Sequence, residues 1–356
     1  MDKLKQQHGN QTWLNGFLFS VGQILSLLIL YFYPQALSAQ QRPQYSQYVM
    51  NNYLLNPALS GIENYTDLRM GHRQQWTGLE GAPKTSFVSA HWALGDAYLW
   101  PNPLSFGEDG TDPRSRSIEQ DYTASPAHHG IGFSAVSDRS GQLSMAFLDV
   151  SYAYHLQLNR RLNLAAGIST GVSRVGIDVG ALVLERPGDP ALSNASRKTL
   201  SPDLSLGLWL YGRRFFSGVS VQQLLPQKIV FGKENNLNEG KLVPHFFFTS
   251  GYRVALGEDF NVTPSIMAKW VSNTPISLDA NLKIGLTDRF WMGGGYRSTD
   301  AFTAMAGINV SHFLNLTYSY DLTVSRLNSV SSGSHEIVLG LLLNNVYKVV
   351  CPTRMW

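Results

Sequence analysis

Two adjacent histidines, His128 and His129, are residues of a type that binds metal ions. A zinc site also needs further Cys, His or carboxylate ligands at defined spacings, and no such cluster accompanies this pair. The pair precedes a predicted strand, so we interpret it as the polar end of a loop. The sequence therefore predicts no metal site and no cofactor.

Serine, histidine and acidic residues are scattered along the chain without a catalytic arrangement. We expect no nucleophile elbow of the Gly-x-Ser-x-Gly type between a strand and a helix. The run Gly293-Gly294-Gly295 lacks a following Lys-Ser/Thr and lies in a strand pattern, where glycines allow bending or close packing rather than phosphate binding. We therefore expect no enzyme and no catalytic residues.

The clearest pattern is a strict alternation of apolar and polar residues over residues 276–286. The apolar positions are Ile276, Leu278, Ala280, Leu282, Ile284 and Leu286. Ten residues suffice for a tilted strand to cross a bilayer, and alternate side chains of a strand point to opposite faces. In a soluble sandwich the apolar face would meet another sheet, whereas in an outer-membrane barrel it meets lipid and the polar face lines the lumen.

The same alternation recurs at residues 148–156, 314–321 and 336–343, among about fourteen strand candidates. Tyrosines end the apolar face of two of these strands, as in the aromatic girdle of a membrane barrel. Short connections also alternate with long ones from the fourth strand onward. The pattern predicts an all-β, transmembrane outer-membrane β-barrel of about 14 antiparallel strands. Sixteen strands would require one more hairpin, in residues 95–127 or 224–244.

Composition agrees with this class. Of 356 residues, 44% are hydrophobic and only 15% are charged, well below the roughly 25% charged residues of soluble domains. A net charge of +3 without a basic run gives no support for nucleic-acid binding. Cys351 is the one cysteine, which excludes an internal disulfide.

The alternation and the amino terminus together give a domain plan. Residues 1–39 have the basic start, apolar core and small residues of a signal peptide, with an uncleaved anchor helix as the alternative. Residues 40–60 form an N-terminal periplasmic or plug-like segment, and residues 61–344 form the barrel. Residues 95–127 are an insert, either flexible or a partner-docking loop. Residues 345–356 form a C-terminal periplasmic tail.

Polar residues on the alternating faces are the candidate lumen contacts. We predict that Leu278, Leu282, Leu316 and Ile337 face lipid and that Asp279, Lys283, Asn315 and Glu336 face the lumen. Arg73 would face Asp149, Asp279 or Glu336, and the leader would be either a disordered segment or a plug. The candidate lumen and plug contacts are Tyr45, Gln47, Tyr48, Arg73, Asp149, Asp279 and Glu336.

Several stretches resemble one known family in chain order. They are Gln44-Tyr45-Ser46-Gln47-Tyr48, Asn56-Pro57-Ala58, Gly61, Arg73-Gln74-Gln75-Trp76, Gly81-Ala82-Pro83, residues 149–155, residues 282–296 and Gly333-Ser334-His335-Glu336-Ile337. The chain resembles the PorP/SprF membrane proteins of the type IX secretion and gliding-motility machinery. It departs from the family pattern in the length of the 95–127 insert and in Cys351 and Thr353 of the tail.

The resemblance implies a non-enzymatic protein of the Gram-negative outer membrane that supports secretion or anchors surface adhesins. It implies outer-membrane lipid, a periplasmic ring and a peptidoglycan-binding linker protein as partners. The alternative is a pore or porin for small solutes. Arg354 and Trp356 make the tail a candidate docking element, because Arg and Trp are favoured in interfaces, and a frayed terminus is the other interpretation.

Overall fold

A computed structural model describes residue 48 and residues 51–95, 124–178, 198–229, 240–256, 260–272, 274–286, 289–298, 300–325 and 329–345. The strands lie in a compact unit formed by residues 39–272 and 276–356. The other compact unit, residues 1–38 with 273–275, falls almost entirely outside the described ranges.

The described residues form seventeen strands in chain order. They are β1 (Thr66–Gln74), β2 (Lys84–Ala93), β3 (His128–Ser140), β4 (Leu143–Asn159), β5 (Leu162–Ile177), β6 (Lys198–Gly212), β7 (Phe215–Gln222), β8 (Gln227–Ile229), β9 (Gly240–Leu242), β10 (His245–Tyr252), β11 (Val254–Leu256), β12 (Phe260–Val271), β13 (Ser277–Leu286), β14 (Phe290–Arg297), β15 (Ala301–Asn309), β16 (Leu314–Thr323) and β17 (Ser334–Leu343).

Antiparallel pairing closes these strands into one barrel. The main sheet contains fifteen segments, and β10 and β11 are two parts of one strand interrupted at Arg253, which leaves fourteen barrel strands. Pairing of β1 with β17 and of β10 with β12 completes the ring. The predicted fourteen-stranded barrel is confirmed. The short β8–β9 hairpin, within residues 224–244, forms a separate sheet and adds no strand to the wall.

Side chains alternate between the two faces of the wall as the sequence predicts. On β13, Leu278 and Leu282 are each 45% exposed on the outside, while Asp279 and Lys283 are buried inside. Leu316 and Ile337 are exposed, and Asn315 and Glu336 are buried. The predicted lipid-facing and lumen-facing residues are therefore confirmed. An apolar outer surface lets a barrel replace protein–water contacts with lipid contacts.

The two ends of the barrel differ in their connections. One end, which we call the turn end, holds the short connections at residues 160–161, 213–214 and 310–313, and both the start of β1 and the end of β17. The opposite end, the loop end, holds the longer connections at residues 178–197, 223–244 and 324–333. In outer-membrane barrels short turns are periplasmic, so we predict that the turn end is periplasmic. The insert between β2 and β3 also leaves from this end.

Two single-turn 3₁₀ helices, Asn52–Leu54 and Pro57–Leu59, precede β1. Asn56 caps the second, because its Oδ1 accepts a hydrogen bond from the Ala58 backbone N–H at 3.0 Å, and Pro57 occupies a first-turn position that needs no donor. Within the described ranges, no helix combines the length and hydrophobicity that a membrane span requires.

We predict that Leu282→Arg destabilises the barrel by about 2–4 kcal/mol, because Leu282 lies at the middle of β13 and its side chain faces lipid. Reversible unfolding in lipid bilayers measures this loss. Lys283→Arg is the matched control, since it places the same side chain one residue away on the lumen side. Equal losses in the two variants would contradict the assignment of faces.

Candidate functional site

The segment before β1 lies inside the barrel, and we call residues 48 and 51–65 the plug. Tyr48, Asn52, Leu59 and Ser60 are each at most 2% exposed. On one side Asn281 of β13 donates a hydrogen bond to the Tyr48 hydroxyl. On the other side the Ser60 hydroxyl lies 2.8 Å from the hydroxyl of Ser151, which belongs to β4. The plug therefore spans the lumen from β13 to β4.

Glycines on the inner wall allow the plug to approach the strands directly. A Cβ atom at Gly130 of β3, Gly167 of β5 or Gly207 of β6 would come within 3.0 Å of Ser60, Ala58 or Asn56, respectively. Real Cβ atoms do not approach that closely, so another residue at any of these positions would displace the plug or the wall. The glycines are needed for close backbone packing.

Asn56 connects the plug to the backbone of the wall. Its Nδ2 donates to the carbonyl oxygens of Leu208 at 3.0 Å and Val219 at 3.2 Å, which are paired residues of β6 and β7. Because its Oδ1 caps the second 3₁₀ helix, the whole Asn56 amide is used. Hydrogen bonds of this kind each contribute about 1 kcal/mol net, and leaving a buried partner unpaired costs more.

Polar groups of the wall also bind other carbonyls and a hydroxyl of the plug. Ser220 donates to the Leu55 carbonyl at 2.7 Å, and Gln222 donates to the Leu54 carbonyl at 2.8 Å. The Tyr53 hydroxyl lies 2.7 Å from the Ser151 hydroxyl. Burial raises the pKa of the Tyr53 phenol above its usual value, so this hydroxyl keeps its proton.

Three histidines surround the plug turn at Ser60 and Gly61. His155 Nε2 is 2.8 Å from the Ser60 carbonyl, and His128 Nε2 is 3.1 Å from the Gly61 carbonyl. The Gly61 backbone N–H donates to His91 Nδ1 at 3.3 Å, and the His128 and His155 rings stack at 4.3 Å. The sequence interpretation of His128 as a loop end is wrong. It is the buried first residue of β3, and its neighbour His129 faces outward.

A small cavity of about 40 Å³ remains between the plug and β3–β6. This volume is large enough for water. Tyr53, Asp149, Ser151 and Ser169 line it.

Ser169 belongs to Gly167-Ile168-Ser169-Thr170-Gly171, which matches the letters of a nucleophile elbow. An elbow needs a sharp turn from a strand into a helix, whereas these residues lie inside the uninterrupted strand β5.

A buried ion network occupies the lumen near the loop end. Arg73 of β1 contacts Asp321 of β16 at 2.8 Å and Glu336 of β17 at 3.1 Å. Arg297 of β14 contacts Asp279 of β13 at 3.0 Å and Asp321 at 3.6 Å. These side chains are nearly inaccessible to solvent. Each carboxylate is stabilised only while its arginine remains in place, because an unpaired buried charge is strongly unfavourable.

Two loops meet at the loop end beside this network. The Trp76 backbone N–H donates to the Ser334 hydroxyl at 3.1 Å, and the Thr77 N–H donates to the Gly333 carbonyl at 2.8 Å. Ser332 returns a hydrogen bond to the Thr77 carbonyl at 2.8 Å. These bonds join the segment after β1 to the segment before β17.

Three solved structures are similar to this chain at low sequence identity. The toluene transporter TbuX of Ralstonia pickettii is 10% identical, with 83% of this chain and 94% of that chain covered and a TM-score of 0.48. The CymD monoaromatic hydrocarbon channel is 11% identical, with 83% and 94% covered and a TM-score of 0.44. A FadL homologue of Pseudomonas aeruginosa is 9% identical, with 84% and 94% covered and a TM-score of 0.42. No curated protein matches the sequence.

The model of the type IX secretion system membrane protein PorP/SprF matches residues 37–341. The chain belongs to the PorP/SprF family. This PorP/SprF protein is located in the Gram-negative outer membrane, as its family and its closed barrel with an apolar outer face require.

Several of the stretches that carry the family resemblance fall at two contact regions of this PorP/SprF protein. Asn56-Pro57-Ala58 and Gly61 form the part of the plug that contacts the wall glycines and histidines. Arg73–Trp76 and residues 333–336 meet at the ion network and at the loops beside it. These stretches therefore lie in the plug and in the ion network with its adjoining loops at the loop end.

The structure places the candidate site residues as follows. Tyr48 lies in the plug, and Arg73 pairs with Glu336, which is one of its three predicted partners. Asp279 pairs with Arg297, and Asp149 lines the small cavity beside Tyr53. Tyr45, Gln47, Arg354 and Trp356 lie outside the described residues.

Sequence reasoning missed Asp321, Arg297, the three plug histidines and the wall glycines. Asp321 and Arg297 do lie on lumen faces of alternating strands, which is the signal that points to them. Among the described residues, no group of three or more His, Cys, Asp or Glu is arranged to hold a metal ion.

We predict that Arg73→Met lowers the stability of the barrel by about 3–5 kcal/mol, because it leaves Glu336 and Asp321 buried with fewer positive partners. The temperature at which the barrel unfolds on a heated SDS gel reports the loss. Arg139→Met, at an exposed loop-end position, is the control, and adding Glu336→Gln to Arg73→Met should recover part of the stability. An Arg73→Met barrel as stable as the control would refute the importance of the network.

Proposed function

We propose that this protein is a non-enzymatic component of a type IX protein secretion and gliding-motility system that supports secretion or anchoring of cell-surface proteins through periplasmic partners. The observation that carries the proposal is the plug, which spans the lumen and is buried against the wall on both sides. A barrel filled by its own chain is suited to holding other proteins at its ends rather than to passing solutes.

The family supports the choice of partners. By resemblance to PorP/SprF proteins, these are a periplasmic ring and a peptidoglycan-binding linker protein, and surface adhesins are the proteins retained or exported. The turn end is the surface that such partners reach. The last described residues lie there, where Asn345 Nδ2 donates to the His312 carbonyl at 2.8 Å.

We predict little steady conductance from the purified barrel in planar lipid bilayers, because the plug fills the lumen. Gly167→Val should increase conductance, since its side chain would collide with Ala58 of the plug. Gly294→Ala is the control, because the added Cβ has its nearest contact at 3.8 Å. Large, stable openings of the wild-type barrel, unchanged in Gly167→Val, would favour the alternative function, a pore or porin for small solutes.

We also predict that deletion of residues 349–356 leaves outer-membrane insertion intact but abolishes secretion of type IX cargo and copurification of the periplasmic partner. The tail follows β17 at the turn end and contains Arg354 and Trp356, residue types favoured in interface hot spots. The double substitution Arg354→Ala with Trp356→Ala tests these two side chains without shortening the chain. Normal secretion by both variants would exclude the tail as a docking element.

A further inference from the structure

Five arginines gather on one side of the turn end, and we call them the basic patch. Arg160 and Arg161 form the turn between β4 and β5, Arg213 and Arg214 form the turn between β6 and β7, and Arg253 separates β10 from β11. Arg160, Arg161 and Arg214 are exposed, and the other two are half-buried.

The pairing of the strands makes this patch continuous. Leu162 of β5 pairs with Gly212 of β6, so the two arginine turns lie side by side. The Arg253 backbone N–H donates to the Arg214 carbonyl at 2.6 Å, which places the fifth arginine next to the second turn. Neighbouring strands are about 4.8 Å apart, so the ends of five strands extend over about 20 Å. That width matches a protein contact rather than a single small anion.

The patch is strongly positive. Each arginine adds one positive charge, and the described turns of these strands contain no acidic residue. Glu258 and Asp259 follow β11 outside the described residues, and even with them the region holds five positive charges against two negative ones. The loop end is mixed instead, with Asp138 next to Arg139 and Glu80 near Lys84.

The patch borders the mouth of the lumen and not only the lipid. The Ala124 backbone N–H donates to the Arg160 carbonyl at 2.8 Å, and Asn163, on the inner face of β5, donates to the Ser125 carbonyl at 2.8 Å. Gln157 donates to the Ala124 carbonyl at 3.0 Å. This segment thus lies against the inner side of the strands that carry the arginines, so the patch adjoins the mouth of the lumen as well as the rim of the bilayer.

We propose that the basic patch binds an acidic surface of a periplasmic protein partner. The inference deepens the proposed function and rests on it. Guanidinium groups recognise carboxylates through paired hydrogen bonds, and complementary charge accelerates association and excludes wrong partners. The partner is therefore expected to present several Asp or Glu side chains over a comparable width.

The same experiment also tests two other candidates for binding to the basic patch, the insert of this chain and anionic lipid. Residues 96–123 carry Asp96, Glu108, Asp109, Asp112, Glu119 and Asp121 against Arg114 and Arg116, so the insert is itself acidic. Anionic phospholipid headgroups offer the same charge at the rim of the barrel.

The experiment uses the full chain in lipid nanodiscs and a short fluorescent polyglutamate peptide as the probe. We expect binding that weakens as salt rises from about 0.1 M to about 1 M, because the Debye length falls from about 10 Å to about 3 Å. Arg160→Glu with Arg161→Glu should weaken binding about tenfold or more, and the loop-end control Arg139→Glu should leave it unchanged. If the reversed pair impairs insertion, Arg160→Gln with Arg161→Gln replaces it.

Equal binding by the patch variant and the control would overturn the proposal. So would a large gain in probe binding when Asp109, Asp112, Glu119 and Asp121 are changed to amides, because the insert would then be the occupant. Binding seen in neutral but not in anionic nanodiscs would assign the patch to lipid and overturn it too. In cells, normal secretion by the patch variant together with failed secretion by the tail deletion would refute only the binding role of the basic patch. Normal secretion by cells that lack this barrel would refute the proposed function itself.

Discussion

The direct contact between the plug and the inner wall is the constraint on which the rest of the structure depends. Ser60, Ala58 and Asn56 reach β3, β5 and β6 because Gly130, Gly167 and Gly207 have no Cβ atom. At that distance the Asn56 amide and the Ser60 carbonyl find partners on the wall. If the plug were held further away, these buried groups would be unpaired, at a cost of about 1–3 kcal/mol each. The position of the plug therefore depends on the wall glycines, and the buried polar groups of the plug depend on partners in the wall.

Closing the lumen also determines how its charges behave. With the plug in place, Arg73, Arg297, Asp279, Asp321 and Glu336 are removed from water, and charges in such surroundings are tolerated only as pairs. The plug and the network are contiguous. Tyr48 donates to the Asp279 backbone carbonyl at 3.4 Å, and the Asp279 carboxylate binds Arg297. A movement of the plug would thus reach the ion pairs through β13, which makes the lumen one packed unit rather than two separate sites.

The sequence predicts the wall well and its contents only in part. Alternation identifies the outward Leu282 and the inward Lys283, because the two-residue period of a strand is a local property. The pairing of Arg73 with Asp321 is not local, since it joins positions 248 residues apart and depends on which strands close the ring. The interpretation of His128 as a loop end is wrong for the same reason, because the position of His128 depends on its contact with Gly61 of the plug. The glycines of the wall carry no side chain to suggest a contact, and only the position of the plug explains them.

The interior contacts make the barrel strands rigid, and this rigidity favours partner binding at the end of the barrel. Binding a partner is less unfavourable when the surface is already ordered, because fewer side chains and loops lose freedom on association. The packed lumen holds β4, β5, β6 and β7 from inside, through Ser151, Gly167, Asn56 and Ser220, and these strands end in the arginine turns. At the loop end, by contrast, the hydrogen bonds between Trp76, Thr77 and residues 332–334 already join two loops to each other. The plug thus lies behind the surface that carries the arginine turns, and it fixes the strands on which that surface is built.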